Sequence, residues 1–217
     1  MLFKVHTSCF KFRCLIVGTG KVKVHIDDEE TILSLPGEIT VDKADNEIHK
    51  IRISNINAKG IVIGPVLKGY ITEIESWGDL DIIWLKKIFL GNNLREVSVP
   101  DHIPKTLKNL SYLLYDSGIS ILKGMEKWDT SHVTQMRHMF HGATNFNQDI
   151  SGWDTSSVQD MSYMFYEAKE FNQDISNWDI NNLEDLTGML IGTDKLDPEI
   201  SMHFINRFPN FRSRIKV

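Results

Sequence analysis

A unit of 25 residues recurs along the C-terminal half of the chain. Trp128-Asp129-Thr130-Ser131 returns as Trp153-Asp154-Thr155-Ser156 and again as Trp178-Asp179-Ile180-Asn181. Phe146-Asn147-Gln148-Asp149-Ile150-Ser151 returns as Phe171-Asn172-Gln173-Asp174-Ile175-Ser176. A fixed period of this size means that each unit buries its apolar side against its neighbours, which leaves an extended outer surface for binding.

The apolar frame runs further back than the motif. Val133, Met136, Met139 and Phe140 match Val158, Met161, Met164 and Phe165, then Leu183, Leu186, Met189 and Leu190. Upstream, Leu107, Leu110, Leu113, Leu114 and Ile82, Leu85, Ile88, Phe89 keep the spacing. This gives about five units between Trp77 and Met202. Apolar residues at relative positions 0, 3, 6 and 7 share one side of an α-helix. Ser131, Ser156 and Asn181 stand where N-caps belong, and Gly91, Gly142 and Gly192 where helices end in a left-handed residue. The expectation is a short helix, a turn and a short extended piece per unit. The fold class is then α/β, a leucine-rich-repeat-like right-handed solenoid of about five 25-residue units with a small β-rich N-terminal domain.

The pattern W-D-T-S-x-V-x-x-M-x-x-M-F-x-x-A-x-x-F-N-Q-D-I-S resembles the 25-residue repeat of BspA-type leucine-rich-repeat surface proteins of bacteria. The resemblance covers residues 77–202. The segment Gly18 to Asp27 is similar to the strand that precedes a Trp-Gly-Asp-Gly turn in such proteins, although here the turn reads Ile26-Asp27-Asp28-Glu29. Many members are secreted or anchored and bind host or partner proteins. The resemblance therefore implies a binding role.

Three segments follow. Residues 1–70 read as a β-rich N-terminal cap domain, because Lys21–Ile26 and Ile48–Ile53 alternate polar and apolar residues and Ile61-Val62-Ile63 suits a buried strand. Breaks fall at Gly18-Thr19-Gly20, Pro36-Gly37, Asp45-Asn46 and Gly64-Pro65. Residues 71–203 hold the repeats. Residues 204–217 form a C-terminal cap, with Phe204, Phe208 and Phe211 on one helical side.

A net charge of −5 leaves no basic stripe for phosphates, so nucleic acid is not an expected partner. No stretch has the length of a transmembrane helix, so no membrane insertion is expected. Lys4, Lys11 and Arg13 interrupt the first residues where a signal peptide needs an apolar run. Cys9 and Cys14 would point to opposite faces of a strand, which disfavours a disulfide. The expected location is cytoplasmic, with the cell surface or secretion, as in the family, as the alternative.

Motifs for chemistry are sparse. Gly18-Thr19-Gly20 reads as a hairpin turn, since a phosphate loop needs a following Lys-Ser/Thr or helix. Asp149 and Asp174 read as turn residues that accept from backbone, because no glycine-punctuated calcium loop surrounds them. Trp128, Trp153 and Trp178 form a packing ladder. His132, His138 and His141 lack zinc-pair spacing, and their counterparts one unit on are Ser157, Tyr163 and Tyr166. No catalytic residues, cofactor or metal are expected.

Two positions free of the apolar frame carry rings: Tyr112, His138 and Tyr163 in one row, which ends at Gly188, and Tyr115, His141 and Tyr166 in the other, which ends at Ile191. Their helical phase points them outward along the axis of the repeats. These six residues are the expected partner-binding set. The function expected is a non-catalytic protein-protein interaction module that presents a repeat surface to a protein ligand. The alternatives are a small acidic cytosolic inhibitor or immunity-type protein that occludes a toxin or enzyme, and a surface adhesin whose export signal is absent from this chain.

Overall fold

The structure is a computed structural model, and it describes residues 1–6, 12–41, 48–67 and 70–207. Strands dominate it. They are β1 (Leu2–His6), β2 (Phe12–Thr19), β3 (Lys21–Ile26), β4 (Glu29–Ser34), β5 (Gly37–Val41), β6 (Ile48–Asn55), β7 (Lys59–Leu67), β8 (Tyr70–Ser76), β9 (Ile82–Leu85), β10 (Glu96–Ser98) and β11 (Ile121–Lys123). Seven form one sheet in the order β11-β10-β8-β1-β6-β3-β4, and four form another in the order β5-β2-β7-β9.

The N-terminal strands arise from simple alternation. Val22 and Val24 of β3 and Ile51 and Ile53 of β6 point inward, as do Ile16 of β2, Ile39 of β5 and Ile61 and Ile63 of β7. Each such side chain removed from water contributes about 1.5–3 kcal/mol. Pairings within this segment are antiparallel. The sheets then continue in parallel into the later chain, β9 against β7 and β10 against β8 and β11. The glycine pair at 18 and 20 does not close a hairpin. β2 and β3 lie in different sheets, and the chain crosses between them at Gly20 (φ 93°), where a Cβ would collide with the Asn57 carbonyl.

The 25-residue units stack, but they are not helical. Trp84, Asn109, Gln135, Asp160 and Asp185 are linked in sequence by isolated parallel bridges, one per unit. In the third unit the N–H groups of Met136, His138, Phe140 and Gly142 donate to the carbonyls of Asp160, Ser162, Met164 and Tyr166 at 2.7–2.9 Å. The fourth unit repeats this, from Met161, Tyr163, Phe165 and Glu167 to Asp185, Thr187, Met189 and Ile191. Alternate N–H groups thus leave the unit. Intervening ones close three-residue turns, such as Met139 to Met136 (3.2 Å) and Ala143 to Phe140 (3.0 Å).

These bonds overturn the expected α/β leucine-rich-repeat-like solenoid. The protein is mostly β-sheet, and the segments of the units expected to be helical contain no α-helix. An α-helix needs each N–H to bond four residues back and every residue to stay right-handed. Lys87, Tyr112, His138, Tyr163 and Gly188 all have φ between 52° and 64°, which breaks any helix at the middle of each expected one. Ser131, Ser156 and Asn181 are not N-caps either; their N–H groups donate to Asp129, Asp154 and Asp179. Among the described residues the helices are a short 3-10 turn at Met125–Lys127 and α1 (Pro198–Arg207).

The side chains at positions 0, 3, 6 and 7 still meet in the core. Leu107, Leu110, Val133, Met136, Met139, Phe140, Met161, Met164 and Phe165 are all buried. Phe140 stacks on Phe165 at 5.2 Å, and Trp153 lies between Trp128 and Trp178 at 6.5 Å on either side. In α1, Phe204 is buried and the Arg207 guanidinium donates to Asn181 Oδ1. The other residues expected to cap that end, Phe208 and Phe211, lie outside the described residues.

Candidate functional site

The left-handed turn positions the rings. Tyr112, His138 and Tyr163 occupy the left-handed site in three successive units, and Tyr115, His141 and Tyr166 follow three residues later. A turn bond joins each pair: Tyr115, His141 and Tyr166 donate their N–H to the carbonyls of Tyr112, His138 and Tyr163 at 3.3–3.4 Å. Each unit therefore presents two rings side by side. The next unit, hydrogen-bonded directly beneath, repeats them.

All six residues come together in two files. Tyr112, His138 and Tyr163 stack at 4.9 Å between successive ring centres, with planes 13° and 7° apart. Tyr115, His141 and Tyr166 stack at 4.7 Å, with planes 14° and 15° apart. These separations equal the ordinary distance between hydrogen-bonded strands, so the backbone sets the stacking. All six are partly buried and partly exposed. The helical phase that pointed them fully outward does not apply; the turn geometry places them.

The ends of the files differ. At one end Lys87 Nζ sits 3.7 Å from the centre of the Tyr115 ring and 5.2 Å from that of Tyr112. Lys87 is the first-unit counterpart of Tyr112, so a step of one period back from Tyr112 would have found it. A cation over an aromatic face is worth about 0.5–1 kcal/mol at an exposed site. At the other end the Tyr163 ring packs on Gly188, where a Cβ would stand 2.6 Å from Cε1.

Histidines make the middle unit distinct. His138 Nδ1 and His141 Nδ1 are 3.0 Å apart, so one donates and the other accepts. Desolvation, then His141, Arg137 and Lys87, push the His138 pKa down to about 4. Burial also lowers that of His141, against the opposing pull of Asp116 and Glu167. Both shifts favour the neutral imidazole. Burial raises the Tyr115 phenol, with Asp116 and Tyr112 adding to the effect.

The remaining sequence candidates serve the stack. Asp149 and Asp174 accept from the N–H groups of Ser151 and Ser176 at 2.9 Å, which ties the turn and holds both carboxyls below their ordinary range. Trp128, Trp153 and Trp178 donate Nε1–H to the carbonyls of Pro100, Met125 and Ile150. His132 Nε2 pairs with the Pro104 carbonyl (3.1 Å), away from the His138–His141 contact. Among the described residues, no group of three or more His, Cys, Asp or Glu side chains is placed to hold a metal, and no helix is long and apolar enough to cross a membrane.

The fold and the ring files define a class: a largely β protein on two mixed sheets, with stacked 25-residue units carrying an aromatic ladder. The chain belongs to the family described as "Mycoplasma protein of unknown function, DUF285", whose model matches residues 105–215, just over half of the chain. No curated protein and no solved structure matches it.

Proposed function

We propose that this chain is a non-catalytic protein-interaction module, with the edges of the two ring files as its contact surface. The observation that carries the proposal is the pairing of six partly exposed rings in two continuous files, held by backbone at strand spacing. Tyrosine contributes large contact area with few torsions to immobilise, which is why it is enriched at interfaces. Files already ordered by stacking lose little freedom on binding, so more of each contact survives as affinity. The likeness of the Trp-Asp-Thr-Ser and Phe-Asn-Gln-Asp-Ile-Ser motifs to repeats of BspA-type surface proteins supports a binding role.

Site-specific photocrosslinking tests this. A photoreactive phenylalanine at Tyr166 is compared with one at Asn177, an exposed residue outside the ring files. Covalent adducts with one protein from the native host's extract, formed at Tyr166 and not at Asn177, are expected. Adducts at Asn177 alone would move the contact surface elsewhere.

A further inference from the structure

We propose that His138 and His141 form a two-nitrogen chelate for a borderline divalent cation, with Cu(II) favoured over Zn(II). The inference stands on geometry and does not depend on the protein-partner reading. The two Nδ1 atoms are 3.0 Å apart. A cation bound to two imidazoles at about 2.0–2.1 Å spans about 2.9 Å between nitrogens at a right angle and about 3.3 Å at a tetrahedral angle. The observed spacing falls between these, so the two nitrogens already stand at chelating distance.

The surroundings fix the pair. His138 is held between Tyr112 and Tyr163, and His141 between Tyr115 and Tyr166, each at 4.7–4.9 Å. Both side chains remain partly exposed, so a hydrated ion can reach them. The neutral form that burial favours at pH 7 is the form that binds a metal. At present one imidazole carries its proton on Nδ1; moving it to Nε2 exposes both Nδ1 lone pairs without net proton release.

Arg137 and Lys87 act on His138, while Asp116 and Glu167 act on His141 against Lys87, so the carboxylates stand on the His141 side of the pair. With no third His, Cys, Asp or Glu placed to join the two imidazoles among the described residues, solvent completes the shell. Imidazole ligands with open positions favour copper in the usual order of divalent affinities.

The neighbouring units supply non-ligating replacements that preserve the stack, because Tyr112 and Tyr163 flank His138 while Tyr115 and Tyr166 flank His141. The experiment titrates the full chain, His138→Tyr, His141→Tyr and the double variant with CuCl2 and separately with ZnCl2 at pH 7, by calorimetry. Proton NMR of the tyrosine rings follows the copper titration, since paramagnetic Cu(II) broadens nearby signals. The expected result is one site that weakens at least ~10-fold in each single variant, tighter for copper, with selective broadening of Tyr112, Tyr115, Tyr163 and Tyr166. Binding unchanged in the folded double variant, uniform broadening across the chain, or no binding by the natural chain would overturn the assignment.

Discussion

Tyr163 packs against Gly188, one unit away, so that a Cβ on the glycine would stand 2.6 Å from ring carbon Cε1. Gly188 also has φ 64°, a left-handed conformation that costs an L-residue about 1–2 kcal/mol. Gly188→Ala is therefore expected to destabilise the fold by about 2–4 kcal/mol, strain and displaced ring together. Gly152, which lies outside the left-handed region and has nothing within 4 Å of a Cβ, is the internal control. Gly152→Ala should change stability by no more than about 0.5 kcal/mol. Urea midpoints of the two variants check both values.

The depressed histidine predicts a pH window. His138 titrates near 6.5 unfolded and at about 4 folded, so the unfolded chain binds more protons between those values. Its contribution is fully present above about pH 6.5 and is lost as pH falls toward 4. His141 shifts in the same direction. Denaturant midpoints should thus decline as pH falls through this window. His138→Tyr should flatten the decline, with Lys87, Arg137, Asp116 and Glu167 unchanged around it. The turn carboxylates Asp149, Asp154 and Asp174 also have lowered values, but their contributions fade only as pH falls below the ordinary carboxylate range near 3.8. A slope identical in His138→Tyr would contradict the assignment.

The tryptophan ladder should behave as core. Trp153 is 4% exposed, stacks between Trp128 and Trp178 and donates to the Met125 carbonyl. Trp153→Ala is expected to cost about 3–5 kcal/mol. Equilibrium unfolding followed by circular dichroism measures it, and a loss below about 1 kcal/mol would mean that the ladder adds little.

Asp154 shows how the turns close. Its Oδ1 accepts from the N–H of Ser156 at 2.9 Å, as Asp129 and Asp179 do for Ser131 and Asn181. Asp154→Asn keeps an acceptor there and should be nearly neutral. Asp154→Ala leaves the N–H to water and should cost about 0.5–1.5 kcal/mol. Thermal melts of the pair distinguish the lost bond from the lost charge.

Much of this organisation can be read from the residues. The register steps of 25 and 26 residues reappear as bridges from Trp84 through Asn109, Gln135 and Asp160 to Asp185. The two ring rows can be read too, because stacked units bring equal positions together. The conformation inside a unit cannot. Positions 0, 3, 6 and 7 lie together on a helix, but a chain of three-residue turns broken by a left-handed residue gathers them equally well. Tyrosine gives no local warning of positive φ and histidine only a weak one, since positive φ is uncommon outside glycine. The usable clue is the glycine register: Gly188 stands in line with His138 and Tyr163, and Gly142 in line with Asp116 and Glu167. In the N-terminal segment alternation marks the strands, while their division between two sheets depends on distant pairing that no local pattern encodes.

The central claim is that the ring edges hold a protein partner, and affinity tests it most directly. Purified partner identified by crosslinking is titrated against the natural chain and Tyr115→Ser/Tyr166→Ser, with circular dichroism confirming that both are folded. Loss of two interface rings should weaken binding by at least ~5-fold, about 1 kcal/mol, the usual threshold for an interface residue that matters. Equal affinity in a folded double variant would contradict the account.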